Sequence, residues 1–193
     1  MKSVAEEKQI ARETFRRVDQ LHEALERKEA SMALCERVLR SEAWRSAGAV
    51  FAFAPMAREP DVRPLLDAAL RTGKRLALPR CEKGTNTYSP VWVQSLEADL
   101  VPGMNGILEP CDACEPVSTN PLDLALVPGV GFDVHFGRLG RGRGHYDRVM
   151  IGVSGIRCGV AFDWQVASSI PMEPHDVRLH CLVTPSRWMG PFA

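Results

Sequence analysis

The chain has 193 residues, of which 45% are hydrophobic and 25% are charged, as in an ordinary soluble globular domain that can bury a core of its own. Lysine plus arginine and aspartate plus glutamate both total 24, so the net charge is zero. This excludes a global electrostatic attraction to nucleic acid or to an anionic membrane. Residues 1–10 are charged, and the longest uncharged apolar run, 47–57, is too short to span a bilayer. We therefore expect a cytoplasmic protein without a secretory signal or a membrane span.

The first predicted elements are two helices that form an N-terminal helical hairpin. Residues 3–28 carry apolar side chains at helical spacing, and Ser3 with Glu6 makes a capping box. A second helix is predicted over about 31–44. The helix is predicted to be amphipathic, and the apolar side chains that share one of its faces are Ile10, Phe15, Val18, Leu21 and Leu25.

Strands and a helix follow. The run AGAVFAFAP (47–55) predicts a strand that is buried on both faces, and KRLALP (74–79) predicts the next one. Residues 61–72 between them are predicted to be helical. Asp61 is placed to cap this helix and Gly73 to end it.

The second half of the chain continues the alternation. YSPVWVQ (88–94) predicts an edge strand because it contains Pro90. Residues 99–121 are rich in proline, glycine and asparagine, and we expect little regular structure there. Further strands are predicted at 123–128, 156–162 and 180–185, with a helix at about 144–150.

The order of these elements predicts the fold class. Strands that alternate with helices are typical of a mainly parallel β-sheet flanked by helices. We therefore expect a single α/β domain over 1–193. Ligands of such sheets bind outside the carboxyl ends of the strands.

Six cysteines are spread along the chain. In a chain without a secretory pattern, free thiols in a reducing compartment are the better interpretation. Cys111 and Cys114 form a C-x-x-C pair, but a zinc site needs four ligands and no second pair stands at finger spacing. We interpret this pair as two free thiols in a loop rather than as a metal or redox site.

The segment RLGRGRGHYDR (138–148) combines glycines with positive charge. Its G-x-G-x-G spacing differs from the dinucleotide fingerprint and from the P-loop. Glycine permits positive φ and close backbone approach, so N–H groups in the loop and at the following helix can face an anion. Arginine adds forked donors for phosphate oxygens. The residues are Arg138, Gly140, Arg141, Gly142, Arg143 and Gly144.

Two other interpretations of this segment remain open from its composition. It could be a solvated basic loop, or an Arg–Gly tract that binds nucleic acid, although such tracts are longer. Asp147 favours a phosphate site, because a carboxylate beside a polyphosphate commonly holds Mg²⁺. Asp176, in a loop before the last strand, offers a second carboxylate. Either aspartate could equally be a turn residue.

The wider segment VPGVGFDVHFGRLGRGRGHYDR (127–148) resembles the signature of the 5-formyltetrahydrofolate cyclo-ligases, which are also called methenyltetrahydrofolate synthetases. Further similarities follow in the family's order along the chain. They are Lys8 and Arg12 in the first helix, Glu59 after the first strand, LALPR (76–80), GILEP (106–110), FDWQV (162–166) and IPMEPHD (170–176).

The resemblance implies a reaction. ATP would phosphorylate the formyl oxygen of 5-formyltetrahydrofolate, N10 would attack the activated carbon, and phosphate would leave as the ring of 5,10-methenyltetrahydrofolate closes. Mg²⁺ and ATP are the implied cofactor and co-substrate. The resemblance and the composition together lead us to expect a monomer without a nucleic-acid or membrane partner.

The resemblance also implies residue roles, which fall into four groups. Arg141 and Arg143 would be catalytic, and Asp147 and Asp176 would hold Mg²⁺. ATP would be bound by Lys8, Arg12, Arg138, Leu139, Gly140, Arg141, Gly142, Arg143, Gly144, His145 and Tyr146. The folate substrate would contact Ala54, Glu59, Arg141, Gly142, Arg143, Gly144 and His145, while Glu109 is expected to have a structural role in a turn.

The sequence departs from the family pattern at two positions. His145 stands where the family commonly has tyrosine, and His180 where it often has aspartate. These departures keep a second hypothesis open, a folate- or nucleotide-binding relative that has lost catalysis and acts by sequestration. A third hypothesis, an RNA-binding module, is disfavoured by the zero net charge and by the absence of an aromatic stacking platform in the sequence.

Overall fold

The structure is a computed structural model that describes residues 2–82, 87–103, 106–118, 121–142 and 144–193. The helices are α1 Val4–Gln20, α2 Ala24–Arg40, α3 Glu42–Ser46, α4 Arg63–Arg71 and α5 His145–Gly152. The strands are β1 Ala49–Phe51, β2 Arg75–Cys81, β3 Tyr88–Val93, β4 Leu100–Pro102, β5 Leu108–Pro110, β6 Leu124–Val127, β7 Gly131–Asp133, β8 Arg138–Leu139, β9 Ile156–Val160, β10 Val166–Ala167, β11 Cys181–Val183 and β12 Trp188–Met189. Within the described residues, three helices come first, α4 lies between the first two strands, and α5 lies between β8 and β9.

In the part of the chain that is described, the central sheet has seven strands in the order β12-β11-β9-β6-β1-β2-β3. The five strands from β11 to β2 are parallel, whereas β12 and β3 pair antiparallel at the two edges. This confirms the expected mainly parallel α/β sheet and the edge position of the strand with Pro90. The chain leaves β1 for β2 on one side and later returns to β6 on the other. The ends of β1 and β6 are therefore a topological switch point, where α/β sheets bind ligands.

Alternating side chains of the central strands point to opposite faces of the sheet, as a two-residue period requires. In β6, Leu124 and Leu126 pack in one apolar cluster with residues of α2 and α4. Ala125 and Val127 pack in another with Val149 of α5. The sheet is thus buried on both faces, which explains why its strands are continuous apolar runs in the sequence.

The N-terminal helices are present, but their boundaries differ from the prediction. The capping box of Ser3 and Glu6 is formed, yet α1 ends at Gln20 rather than near residue 28, and α2 begins at Ala24. The predicted apolar face is largely exposed, with Leu21 at 80% and Leu25 at 65% relative exposure. The amphipathic pattern does not lead to burial here, because a periodic pattern shows which side chains share a face but not whether another element covers that face.

Helix α4 is close to its prediction. Asp61 accepts a hydrogen bond from the Arg63 N–H at 3.1 Å, although Val62 occupies the cap position. Gly73 adopts a φ of +73°. With it, the N–H of Gly73 bonds the carbonyl of Leu70 and the next N–H bonds that of Ala69, the pattern of a glycine C-terminal motif.

The sequence did not predict the two small sheets. The segment expected to lack regular structure contains β4 and β5, which pair antiparallel. The glycine-rich segment begins with β8, which belongs to a three-stranded sheet of β10, β7 and β8. These strands have only two or three residues each, too few for a periodic pattern to be recognised. No helix among the described residues is long and apolar enough to cross a membrane.

Candidate active site

A cavity of about 760 Å³ lies at the switch point of the sheet, beyond the ends of β1 and β6. It is lined by all the predicted site residues that the structure describes. They are Lys8, Arg12, Ala54, Glu59, Arg138, Leu139, Gly140, Arg141, Gly142, Gly144, His145, Tyr146, Asp147 and Asp176. The remaining predicted residue, Arg143, lies outside the described residues. Side chains from segments far apart in the chain therefore surround one space.

The glycine-rich loop enters α5 through left-handed backbone. Gly142 has a φ of +97° and Gly144, the cap of α5, has a φ of +65°. A side chain at either position would be strained. The cap residue Gly144 has no side chain that could accept from the first N–H groups of α5, and a helix N-terminus is suited to an anion.

Helix α1 reaches the same loop through Arg12. The Nε–H of Arg12 donates to the carbonyl of Gly140 at 2.9 Å. A Cβ on Gly142 would come within 3.4 Å of the Arg12 guanidinium carbon. The guanidinium therefore lies against the loop backbone, with its charge beside the cavity.

Arg141 pairs with Glu59 across 82 positions of sequence, with 2.9 Å between Nη2 and Oε1. The carboxylate side chain is 10% exposed and the arginine side chain 55% exposed. Glu59 also accepts the backbone N–H of Met56 at 3.0 Å, which fixes the loop after β1. The predicted catalytic arginine and the predicted folate-binding glutamate are therefore direct neighbours.

Arg138 lies beneath the loop rather than on its open side. Its side chain is 4% exposed and its Nη2 donates to Asp147 at 2.8 Å. Its Nη1 donates to the carbonyl of Pro128 at 3.3 Å, while its buried Nε has no hydrogen-bond partner among the described residues. A Cβ on Gly140 would come within 2.9 Å of this guanidinium. Arg138 thus holds Asp147 from inside the protein.

Asp176 lies in a turn over 173–176, which we call the acidic turn. Lys8 reaches it from α1, with Nζ 2.6 Å from Glu173 Oε2 and 2.5 Å from Asp176 Oδ2. Ligand atoms of Glu173, His175 and Asp176 lie within 4.8 Å of one another, a spacing that could hold a metal ion. Burial raises the pKa of Asp176, but the backbone N–H of Glu173 and the Lys8 ammonium together lower it by more. The net pKa is therefore below its usual value.

Aromatic rings form one wall of the cavity. His145 lies edge-on to Tyr88 with 4.7 Å between ring centroids, and Tyr146 lies edge-on to the same tyrosine at 5.9 Å. Burial raises the pKa of Tyr146 well above its ordinary value. Phe53 and Met56 extend this apolar lining. The wall could contact a flat heterocycle.

The lining also includes Tyr88, Glu173 and His175, which were not predicted as site residues. Glu173 and His175 stand next to Asp176 in the sequence, so the cluster of titratable residues was a usable signal. Tyr88 offered no such signal, because it begins a weak edge strand. Glu109 is buried in β5 and accepts the Cys81 N–H at 3.0 Å, in keeping with its expected structural role, although it also lines the cavity.

The C-x-x-C pair lies outside the cavity lining. Its sulfur atoms are 3.5 Å apart, and both residues are free thiols. Burial is the main cause that raises the pKa of Cys114 to about 11. A thiol with such a pKa is protonated at neutral pH and is a poor nucleophile.

Comparisons with known proteins agree on one family. The profile of the 5-formyltetrahydrofolate cyclo-ligase family matches residues 4–185. The 5-formyltetrahydrofolate cyclo-ligase of Mycolicibacterium smegmatis is 34% identical over 143 residues, which cover 72% of this chain and 74% of that protein. The Escherichia coli K12 enzyme of the same name is 32% identical over 133 residues, 67% of this chain and 73% of that protein.

Solved structures give the same result. The NMR structure of the Aquifex aeolicus 5,10-methenyltetrahydrofolate synthetase is similar with a TM-score of 0.84 and 31% identity, covering 95% of this chain and 92% of that chain. A 5,10-methenyltetrahydrofolate synthetase from Mycoplasma pneumoniae has a TM-score of 0.73 at 18% identity, covering 92% of this chain and 98% of that chain. The second similarity shows the shared fold.

Proposed function

The chain belongs to the 5-formyltetrahydrofolate cyclo-ligase family, and from this premise we propose that it converts 5-formyltetrahydrofolate to 5,10-methenyltetrahydrofolate, with ATP consumed to ADP and phosphate. One observation carries the proposal: the described residues that match the family's motifs surround a single cavity at the switch point of the sheet. Its volume of about 760 Å³ lies within the range of roughly 300–1,000 Å³ that is usual for ligand pockets.

The proposed reaction has two chemical steps. The formyl oxygen attacks the γ-phosphorus of ATP, and ADP leaves. N10 then attacks the activated formyl carbon, the bond from carbon to oxygen breaks, and inorganic phosphate departs as the ring closes. Phosphorylation is needed because the oxygen is otherwise a poor leaving group. Phosphoryl transfer requires mainly positioning and charge neutralisation from a protein.

We assign the positioning of ATP to the glycine-rich loop and α1. The backbone N–H groups at the start of α5 would bind phosphate oxygens, with Lys8 and Arg12 approaching from the other side. Arg141 would leave Glu59 to meet the charge that develops on the transferred phosphoryl group, and Arg143 is assigned the same role. We propose that Arg138 contributes by placing Asp147, because its guanidinium is already engaged within the protein.

The folate is assigned to the aromatic wall and the loop after β1. Ala54 and Met56 would contact the pterin, and Glu59 would accept a hydrogen bond from it once Arg141 turns to the phosphates. His145 lies between the two regions, at the start of α5 and against Tyr88. Because the family commonly has tyrosine at this position, we expect His145 to change the substrate contacts of this chain.

The carboxylates fit a magnesium ion. Asp147 and Asp176 both line the cavity, and carboxylate oxygens with phosphate oxygens and water are the ligands that Mg²⁺ prefers. The ion would neutralise charge on the phosphates of the nucleotide. Arg138 pairs with Asp147, and Lys8 pairs with Asp176.

Paired metal ligands lead to a testable prediction. Asp147→Asn or Asp176→Asn removes a charge with little change in shape, so each should raise the Mg²⁺ concentration needed for half-maximal rate. A magnesium titration of both variants measures this, with Asp67→Asn, an exposed aspartate of α4, as the control. Wild-type magnesium dependence in Asp176→Asn, with a shift in Asp147→Asn, would show that Asp176 is a turn residue.

The direct test of the reaction mixes the protein with 5-formyltetrahydrofolate, ATP and Mg²⁺. We expect growth of methenyl-folate absorbance in the near ultraviolet, with ADP and phosphate formed in step. A folded sample that binds nucleotide and folate without turnover would support the sequestering relative instead. We also propose that the protein acts in the cytoplasm as a monomer, with small-molecule substrates rather than nucleic acid or a membrane as partners.

A further inference from the structure

The structure describes every residue of α1, and Lys8 is the one that is buried. Its side chain is 10% exposed, and its ammonium lies between Glu173 and Asp176 of the acidic turn. Asp176 is 11% exposed, and His175 Nε2 stands 3.9 Å from its other oxygen. A positive charge therefore already occupies the group of side chains whose ligand atoms are spaced for a metal ion.

The C-terminal half of α1 is anchored by contacts outside the acidic turn. The Phe15 ring lies so close to Gly131 that a Cβ there would come within 2.3 Å of it. Asp19 pairs with Arg58 at 2.9 Å and accepts from the indole N–H of Trp164 at 3.3 Å. The helix is therefore fixed at this end whatever occupies the cavity.

The N-terminal half of α1 has a different attachment. Val4 and Ile10 are 38% and 44% exposed, so they contribute little burial. Among the described residues, the long-range side-chain hydrogen bonds of this half are those of Lys8 to the acidic turn and of Arg12 to Gly140. Both are made to residues that line the cavity. The position of this half therefore depends on the charges inside the site.

We propose that Lys8 is an exchangeable stand-in for the divalent cation: it occupies the carboxylates of the acidic turn in the metal-free protein and leaves them, towards the nucleotide phosphates, when the cation binds. The second half of the statement rests on the proposed function, because it needs a nucleotide in the cavity. An ammonium and a divalent cation repel strongly at the same oxygens in a partly buried site. One of them must therefore move.

Lys8 lines the cavity together with the two carboxylates that its ammonium contacts. It can therefore turn from them towards a ligand in the same space. Its flexible stem and compact charge allow it to turn to phosphate oxygens. Metal and nucleotide binding are then coupled through one side chain, and the coupling is reciprocal.

The test measures Mn²⁺ binding to the nucleotide-free protein by electron paramagnetic resonance. Lys8→Met keeps a long apolar stem and removes the charge, so Mn²⁺ should bind more tightly by roughly tenfold, as expected when a neighbouring like charge is removed. Lys2→Met, an exposed lysine of the same N-terminal segment, should bind Mn²⁺ like the wild type. Unchanged or weaker Mn²⁺ binding by Lys8→Met would overturn the proposal.

A second measurement follows α1 in the unmodified protein and does not depend on a variant that folds. Amide hydrogen exchange in the segment 4–12 should become faster when Mg²⁺ is added alone and slower again when ATP follows. Exchange that does not respond to Mg²⁺ would also contradict the proposal. Neither measurement requires turnover, so a protein that exchanges Lys8 for metal but forms no methenyl-folate would reject the proposed function alone.

Discussion

The charged residues of the site satisfy one another before any ligand is bound. Arg141 pairs with Glu59, and Arg138 pairs with Asp147. The two pairs differ in freedom, since the side chain of Arg141 is 55% exposed and that of Arg138 is 4% exposed. Arg141 can turn to a substrate without burying its own charge, and Glu59, which is only 10% exposed, keeps the hydrogen bond from the Met56 N–H. Arg138 cannot, because its departure would strand a buried charge.

This difference predicts the behaviour of Arg141→Ala. The rate should fall by about 100-fold or more, as when a charged donor to a transition state is lost. The free energy of unfolding should change by no more than about 0.5 kcal/mol, as for a surface substitution. Steady-state kinetics and chemical denaturation measure the two effects.

The matched control for that variant is Arg40→Ala. Arg40 also pairs with a glutamate, Glu36, at 3.3 Å, and lies on the exposed face of α2. It should retain the full rate. A full rate in Arg141→Ala as well would show that Arg141 has no part in catalysis, and a large loss of stability would show that its pair with Glu59 is structural.

At the scale of elements, α5 connects the glycine-rich loop to the far side of the sheet. Its first turn carries Asp147, and its last carbonyls accept from Arg157 of β9, with Nη1 3.4 Å from the oxygen of Met150 and 3.3 Å from that of Val153. The His180 ring accepts the Arg157 backbone N–H at Nδ1, 3.0 Å away. Burial, and then the charge of Arg157, lower the pKa of His180.

The lowered pKa of His180 predicts a pH dependence of stability. The unfolded chain binds this proton near pH 6.5, the ordinary value, and the folded protein only at lower pH. Stability due to the neutral ring is therefore fully present above pH 6.5 and is lost as the pH falls from there through the lower folded pKa. His180→Asn should retain an acceptor and remove this part of the acid sensitivity.

Urea unfolding between pH 5 and pH 7.5 measures the effect, and the difference between the two proteins isolates His180. His135→Asn, which removes an exposed imidazole, controls for the loss of a histidine as such. A pH profile of His180→Asn that is parallel to that of the wild type would contradict the assignment. The rest of the acid sensitivity includes the lowered pKa of Asp176, whose contribution is likewise lost as the pH falls.

At the scale of the whole molecule, the cavity lies between segments that are far apart in the sequence. Helix α1, the loop after β1, the glycine-rich loop and the acidic turn all line it. A nucleotide bound there would add contacts to each of them. A ligand that binds the folded state stabilises it, and the stabilisation is larger when the ligand binds more tightly. A ligand in the cavity should therefore raise the stability of the protein.

The predicted effect is a rise in melting temperature with ATP and Mg²⁺. At a ligand concentration of about 100 times Kd, the stabilisation is about 2.7 kcal/mol, or roughly 5–11 °C for a domain of this size. Differential scanning calorimetry measures it, with Kd obtained independently. Arg12→Ala should show a smaller rise in proportion to its weaker binding. No rise in the wild type at saturating ATP would show that the nucleotide does not bind the folded state at this site.

Much of the fold could be predicted from local patterns. The strands β1 and β6 are continuous apolar runs because both of their faces are buried. Gly73 ends α4 because a positive φ is needed there. The chemistry of the glycine-rich loop could also be predicted. Glycine readily adopts the positive φ of this loop, and arginine combines a forked donor with a permanent charge. These features depend on residues close together in the chain.

The tertiary structure alone decided the rest. It placed Lys8 against carboxylates 165 and 168 positions later in the chain, and it brought Arg141 to Glu59 rather than to open solvent. It also left Leu21 exposed, although the sequence periodicity predicts that Leu21 belongs to the apolar face of the first helix. The reason is physical: local pattern determines which way a side chain points from its own element, whereas its partner depends on the path of the whole chain through the sheet.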